Sequence, residues 1–156
     1  MSSQSAKRSQ LMGQLLLAMR EMSIQLSLLN QTVGGCIGLA FSDLEMLDLV
    51  SRRGPLTPSE LVSISGLSPA TMTGILDRLE NDGWVRRERD PHDRRKVNIH
   101  PIARRGSEIF GYYRGMQNRL RQICAVYTDD QLALLIDFIS HVSEAGTSAT
   151  AELRES

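Results

Sequence analysis

The chain has 156 residues, 41% apolar and 23% charged, values that exclude a disordered or fibrous class and leave room for a real core. Lys+Arg and Asp+Glu balance at 18 each, which excludes a uniformly basic protein, yet residues 51–105 hold 11 basic and 7 acidic side chains while the remainder holds 7 and 11. A basic middle between acidic arms points to a polyanionic partner, and two cysteines without Cys-x-x-Cys spacing exclude a disulfide scaffold and a zinc cluster.

The N-terminal stretch MSSQSAKRSQ leads into LMGQLLLAMREM, where Gln14, Arg20 and Glu21 break the apolar run. Neither a membrane span nor a signal peptide is expected there, so the cytoplasm is the default location. Leu11, Leu15, Met19, Met22, Leu26, Leu29 and Val33 recur at steps of four and three, which predicts a helix that Gly34-Gly35 ends. Leu16, Leu17, Ile24 and Leu28 widen the stripe beyond one face. Such a helix must bury against more than one surface.

Three capping boxes mark later helix starts. Ser42-x-x-Glu45 opens a helix to about Arg53. Thr57-Pro58-Ser59-Glu60 opens one to about Ser65, with Pro58 at the first helical position. Thr128-x-x-Gln131 opens a late helix to about Ala145. Between them, Ser68 caps a helix that starts at Pro69 and runs to Asn81 or Asp82, with Gly83 as its stop. Trp84–Glu88 and Val97–His100 read as strands joined by the turn Asp90-Pro91-His92-Asp93. Ile109, Tyr113, Met116, Leu120, Ile123 and Tyr127 carry a second long helix. The segment after Ala145 is small and polar and is expected to fray. The predicted fold is mainly α with a small β-hairpin wing, a winged helix-turn-helix between long terminal helices.

The run LTPSELVSISGLSPATMTGILDRLENDGWVRRERDPHDRRKVNIHP, Leu56 to Pro101, resembles the MarR family of bacterial transcriptional regulators. Its most specific parts are Arg-Leu-Glu-x-x-Gly-Trp-Val, Arg78 to Val85, and Asp-Arg-Arg, Asp93 to Arg95. The resemblance covers nearly the whole chain. It implies an N-terminal dimerisation helix over 1–40, a DNA-binding winged domain over 41–102, C-terminal dimerisation helices over 103–146 and a flexible tail over 147–156. It further implies a homodimeric repressor or activator on a pseudo-palindromic operator in double-stranded DNA. A small aromatic or phenolic effector could bind between the arms and the winged domain. No metal, cofactor, membrane or catalytic role is expected, since no catalytic constellation is present. One departure is visible: the family commonly follows its second wing strand with Leu-Thr, and here Pro101-Ile102 stands there. The start of the next helix is open by a few residues.

In the helix from Ser68, the residues Met72, Ile75, Leu76 and Leu79 share one face and belong in the core. Ala70, Gly74 and Asp77 lie opposite, flanked by Thr71, Thr73 and Arg78. Small side chains let a helix approach a major groove, and Thr or Ala can touch a thymine methyl. An interior Gly costs about 0.5–1 kcal/mol relative to Ala, so Gly74 fits a close approach. The helix start at Ser68 and Pro69 offers N–H groups to phosphate. Asp77 runs against this reading. On the hairpin, eight basic side chains fall between Arg86 and Arg105. A strand pair carrying Arg at its tip can enter a minor groove. By the resemblance, Arg95 is the inserted residue, Asp93 orients it, and Arg94 and Lys96 contact phosphate. Val97 and Ile99 then hold the wing on the core, with Trp84 nearby.

The remaining signals have plain readings. His92 belongs to a solvated turn. Cys36 is either a thiol switch or a small buried residue. Cys124, Tyr112, Tyr113 and Tyr127 belong to core or interface, and the methionines are core filler. A rival function is a winged helix that binds an acidic protein, without sequence-specific DNA binding. Steep salt dependence separates DNA binding from that rival.

Overall fold

The computed structural model describes residues 3–93 and 95–155. In chain order it holds α1 (Ser3–Ile37), α2 (Phe41–Arg53), α3 (Pro58–Ser65), α4 (Pro69–Asn81), β1 (Val85–Arg89), β2 (Val97–Pro101), α5 (Ala103–Cys124) and α6 (Asp129–Glu155). This is the mainly helical winged fold expected, with one antiparallel hairpin among the described residues. The chain divides into two units after Tyr112.

In the first unit, α2, α3, α4 and the hairpin enclose the core. Val50, Leu61, Met72, Ile75, Leu76, Leu79, Val85 and Ile99 are at most 1% exposed. Each such side chain contributes roughly 1.5–3 kcal/mol relative to exposure. The expected inner face of α4 is fully borne out. In the hairpin, Val85 pairs with Pro101, Arg87 with Ile99 and Arg89 with Val97. The sequence reading missed a third pairing: Leu56, just before α3, exchanges main-chain bonds with Ile99, at 2.8 Å and 3.4 Å. The wing root is thus stitched to the start of α3. Val97 is half-buried and Ile99 fully buried, so Ile99 is the principal anchor.

Several boundaries differ from expectation. Helix α1 continues through Gly34-Gly35 and stops at Gly38, whose φ is +73°. The Leu39 N–H donates to the Gly34 carbonyl at 2.9 Å, the outer bond of a Schellman closure. A Cβ on Gly34 would lie 2.8 Å from the Leu39 carbonyl oxygen, so Gly34 serves the return of the chain, not the stop. The Ser42 capping box does not form. Helix α2 begins two residues earlier, with Ala40 at the N-cap and no side-chain cap bond. The strands each end one residue later than expected. After β2, the Ile102 carbonyl accepts from Arg105 and Gly106, so α5 begins at Ala103 without a hydroxyl cap.

In the second unit, the Thr128 box is present: Thr128 Oγ1 accepts from Gln131 N at 3.3 Å, and Gln131 Oε1 accepts from Thr128 N at 2.9 Å. Helix α6 runs to Glu155, ten residues past the expected end at Ala145. Ser143, Thr147 and Thr150 donate their hydroxyls to carbonyls four residues earlier, so these side chains are satisfied within the helix.

The long helices do not bury their apolar stripes within one chain. On α1, Leu11, Leu15, Leu16, Leu17, Met22, Ile24, Leu26 and Leu28 are exposed, while Val33 is buried. In the second unit Met116, Leu120, Ile123, Leu134, Leu135, Ile136 and Ile139 are exposed as well. Tyr112 and Tyr127, expected in core or interface, are exposed and so are not part of the core of a single chain. Of the methionines, Met46 and Met72 are core, but Met12, Met22 and Met116 are not.

Candidate nucleic-acid interface

The local chemistry of α3 and α4 sets the geometry of the turn between them. Thr57 Oγ1 accepts from Glu60 N, and Glu60 Oε2 accepts from Thr57 N at 2.7 Å, closing the predicted box. Those bonds from Thr57 hold the Glu60 carboxyl below its ordinary range. Gly66 ends α3 in the left-handed region at φ +71°. Ser68 then caps α4: its Oγ accepts from Thr71 N at 3.1 Å, and its hydroxyl shares a 2.8 Å bond with that of Thr71. Thr73 Oγ1 donates to the Pro69 carbonyl at 2.9 Å. Ser68, Pro69, Ala70, Thr71 and Thr73 are all exposed. The first turns of α4 therefore offer a small, polar surface while the opposite face is core. Gly74 is half-buried, and a Cβ there would meet only Arg78 Nη1 at 3.5 Å, an ordinary contact. Among the described residues, nothing demands glycine at this position.

The wing tip is built by two aspartates. Asp90 Oδ1 accepts the main-chain N–H groups of His92 and Asp93 at 2.8 Å and 3.1 Å, and Oδ2 accepts Asn98 Nδ2 at 3.1 Å. The bond from His92 is the main reason its carboxyl sits below the ordinary range. Asp93 Oδ1 accepts the Arg95 N–H at 3.0 Å, and the Asp93 carbonyl accepts Lys96 N at 2.9 Å. Asp93 holds the Arg95 main chain. The Arg95 and Lys96 side chains are exposed and make no ion pair among the described residues. Arg94, expected at phosphate, lies outside the described residues.

Much of the basic cluster is committed internally. Arg78 donates through Nε and Nη2 to Asp43 at 2.8 Å and 2.7 Å. The Asp43 bonds raise the Arg78 pKa further. A residue expected to face DNA is thus tied to α2, with Nη1 left outside that fork. Arg87 spans β1 to α4, reaching Asp77 Oδ1 at 2.7 Å and both oxygens of Glu80. Arg86 pairs with Glu88 at 2.6 Å, and Glu88 also meets His100 Nε2 at 3.5 Å. Arg105 lies 4.1 Å over the Trp84 ring, donates to the Asp82 carbonyl and pairs with Glu108. Trp84 itself is 2% exposed.

Asp43, Glu80 and Leu56 escaped the sequence reading. Asp43 carried a signal: it shares the apolar spacing of Leu47 and Val50 on α2, so a carboxylate sits on a core stripe and needs a counter-charge. Cys36 is exposed and Cys124 half-buried, so neither matches a fully buried packing residue. Among the described residues, no three His, Cys, Asp or Glu side chains gather as metal ligands, and no helix is long and apolar enough to cross a membrane.

Residues 42–97 match the MarR family. Over 125 residues the chain is 33% identical to the uncharacterized HTH-type transcriptional regulator YcgE of Bacillus subtilis (strain 168), covering 80% of this chain and 81% of that one. It is 26% identical over 99 residues to the HTH-type transcriptional repressor YetL of the same strain, covering 64% and 59%. Among solved structures, a MarR family protein from Bacillus stearothermophilus superposes with a TM-score of 0.68 at 20% identity, over 89% of this chain and 97% of that one. Wild-type MarR from E. coli gives 0.57 at 22% identity, over 81% and 95%. At these identities the structures speak to the fold.

Proposed function

Because the chain belongs to the MarR family, whose members here are named transcriptional regulators, we propose that it represses transcription as a homodimer on a pseudo-palindromic operator. In this reading, α4 enters a major groove with Ser68, Pro69, Ala70, Thr71, Thr73 and Gly74, and the wing places Arg95 in the neighbouring minor groove. Lys96 and Arg94 lie against phosphate.

The observation that carries the proposal is the wing tip. Both carboxylate oxygens of Asp90, and Oδ1 of Asp93, accept bonds from main-chain N–H groups and Asn98, which fixes the turn, while Arg95 is exposed without a carboxylate partner among the described residues. Most neighbouring arginines have carboxylate partners; Arg95 has none among the described residues. A preformed turn lowers the ordering cost of inserting a cation into a groove of concentrated negative potential.

Dimerisation is supported by the apolar residues of α1 and of the second unit, which remain in water in a single chain. A dimer would space two α4 helices about one helical turn of DNA apart, roughly 34 Å. Repression is supported by the similarity to YetL, a transcriptional repressor by name. Release by a small aromatic or phenolic anion completes the proposal on the family resemblance.

The test is selection of duplex fragments from a random pool by the purified protein, followed by affinity against salt. A recovered inverted repeat and a steep negative salt slope are expected. Recovery of no duplex, with capture of an acidic protein instead, would favour the interaction-module reading. Operator affinity unchanged across a broad panel of phenolic compounds would refute the effector part.

A further inference from the structure

Asp77 presents a puzzle for a helix that reads DNA. It follows Ala70 and Gly74 on the outward face of α4, and its side chain is 52% exposed. A carboxylate there would repel phosphate. The structure supplies the answer from another element. Arg87, on β1, is only 28% exposed and reaches Asp77 Oδ1 through Nη2 at 2.7 Å. Its Nη1 meets Glu80 Oε2, and its main-chain N–H donates to Glu80 Oε1 at 3.0 Å. Three donors of one residue thus satisfy two carboxylates of α4. Burial works against the arginine's charge, and the two carboxylates more than offset it, so its pKa is raised. Arg87 also pairs across the hairpin with Ile99, the buried anchor of the wing.

We propose that Arg87 is a positioning residue for DNA binding, which acts by neutralising Asp77 and Glu80 so that the C-terminal half of α4 can approach the phosphate backbone. Arg87 does not touch DNA itself. The inference rests on the reading that α4 lies in a major groove with the Arg95 wing tip in the minor groove beside it. It adds that part of the basic count of the wing is consumed in cancelling acid on the reading helix.

The effect can be sized. Two unit charges a few ångströms apart interact by about 1 kcal/mol in bulk water, about a fivefold change in affinity. Uncovering two carboxylates therefore predicts a loss on the order of tenfold or more for Arg87→Gln at low salt. The same protein with Asp77→Asn and Glu80→Gln added should recover to within about threefold of wild type, because the repulsion is gone. Asp77→Asn alone should bind tighter than wild type, because one carboxylate of the reading helix is removed while Arg87 stays in place on Glu80.

The probe is a duplex selected by the wild-type chain from a random pool, with affinity measured from low to moderate salt. Arg95→Ala serves as the control for the underlying reading. If wild type binds no duplex, or Arg95→Ala binds as wild type, that reading fails. If wild type binds and Arg95→Ala does not, the variants of Arg87 and Asp77 decide this inference alone. A loss in Arg87→Gln that the two amide substitutions leave unrepaired would overturn it, since a merely structural clamp behaves that way. If Arg87→Gln fails to fold, Asp77→Asn still decides: weaker or unchanged binding overturns the inference.

Discussion

Replacement of Ile99 tests how the wing is held. Ile99 is 0% exposed, faces Arg87 across the hairpin and exchanges two main-chain bonds with Leu56. Its side chain is the only fully buried one on β2. Ile99→Val removes one methylene and should cost about 0.5–1.5 kcal/mol, whereas Ile99→Ala leaves a cavity and should cost about 2–5 kcal/mol. The main-chain bonds to Leu56 are available to both variants, so the difference between them reports packing alone. Trp84, the sole tryptophan of the chain, is 2% exposed at the start of the hairpin and reports this unit directly. Urea unfolding followed by its fluorescence, at one fixed protomer concentration, gives both values. A loss under about 1 kcal/mol for Ile99→Ala would refute the claim that Ile99 anchors the wing.

Three further outcomes follow from the geometry. Gly34→Ala should lower the melting temperature, because the new Cβ meets the Leu39 carbonyl oxygen at 2.8 Å and the backbone must shift; a melt within 1 °C of wild type would contradict this. The Asp90 carboxyl lies below its ordinary value of 3.8, so its ordering of the turn is complete above that value and is lost as pH falls through the lower folded one. Amide exchange at His92 and Asp93 should therefore stay protected through mild acid and rise only at strongly acidic pH, and Asp90→Ala should remove the protection at neutral pH. Leu26→Glu or Ile136→Glu, each placed on an exposed apolar stripe, should dissociate the proposed dimer in sedimentation, and a wild-type monomer at micromolar concentration would contradict the assembly.

What was legible in the sequence was local. The caps at Thr57, Ser68 and Thr128, the stop at Gly83 and the inner face of α4 depend on residues near one another in sequence, and all are present. Failures came where a distant contact decided. Ser42-x-x-Glu45 has the spacing of a capping box, yet α2 starts earlier, and Asp43 is turned inward to Arg78, 35 positions away. Gly34-Gly35 has the composition of a stop, yet the helix continues to a closure that needs Leu39 and Gly38. The basic cluster was countable from sequence, but its division into committed and free arginines was not. Arg78 and Arg87 find their carboxylates on other elements, and only the fold reveals that Arg95 is left over. The apolar stripes of α1, α5 and α6 were equally plain, and they are exposed in the single chain.

The central claim is that the wing tip presents Arg95 to a minor groove. Arg95 and Lys96 precede β2, which begins at Val97, so the separate roles given to Arg95 and Arg94 rest on the family resemblance. The decisive measurement is operator affinity against salt for Arg95→Ala, Arg94→Ala and Asp93→Ala, on duplexes with A·T-rich and G·C-rich flanks. Arg95→Ala is expected to abolish tight binding and the preference for A·T-rich flanks. Arg94→Ala should weaken both duplexes equally and reduce the salt slope by about one. Asp93→Ala should fall between them, because it frees the Arg95 main chain from its 3.0 Å bond. Equal small losses for Arg94→Ala and Arg95→Ala, with flank preference intact, would contradict the account and leave the wing a solvated basic surface.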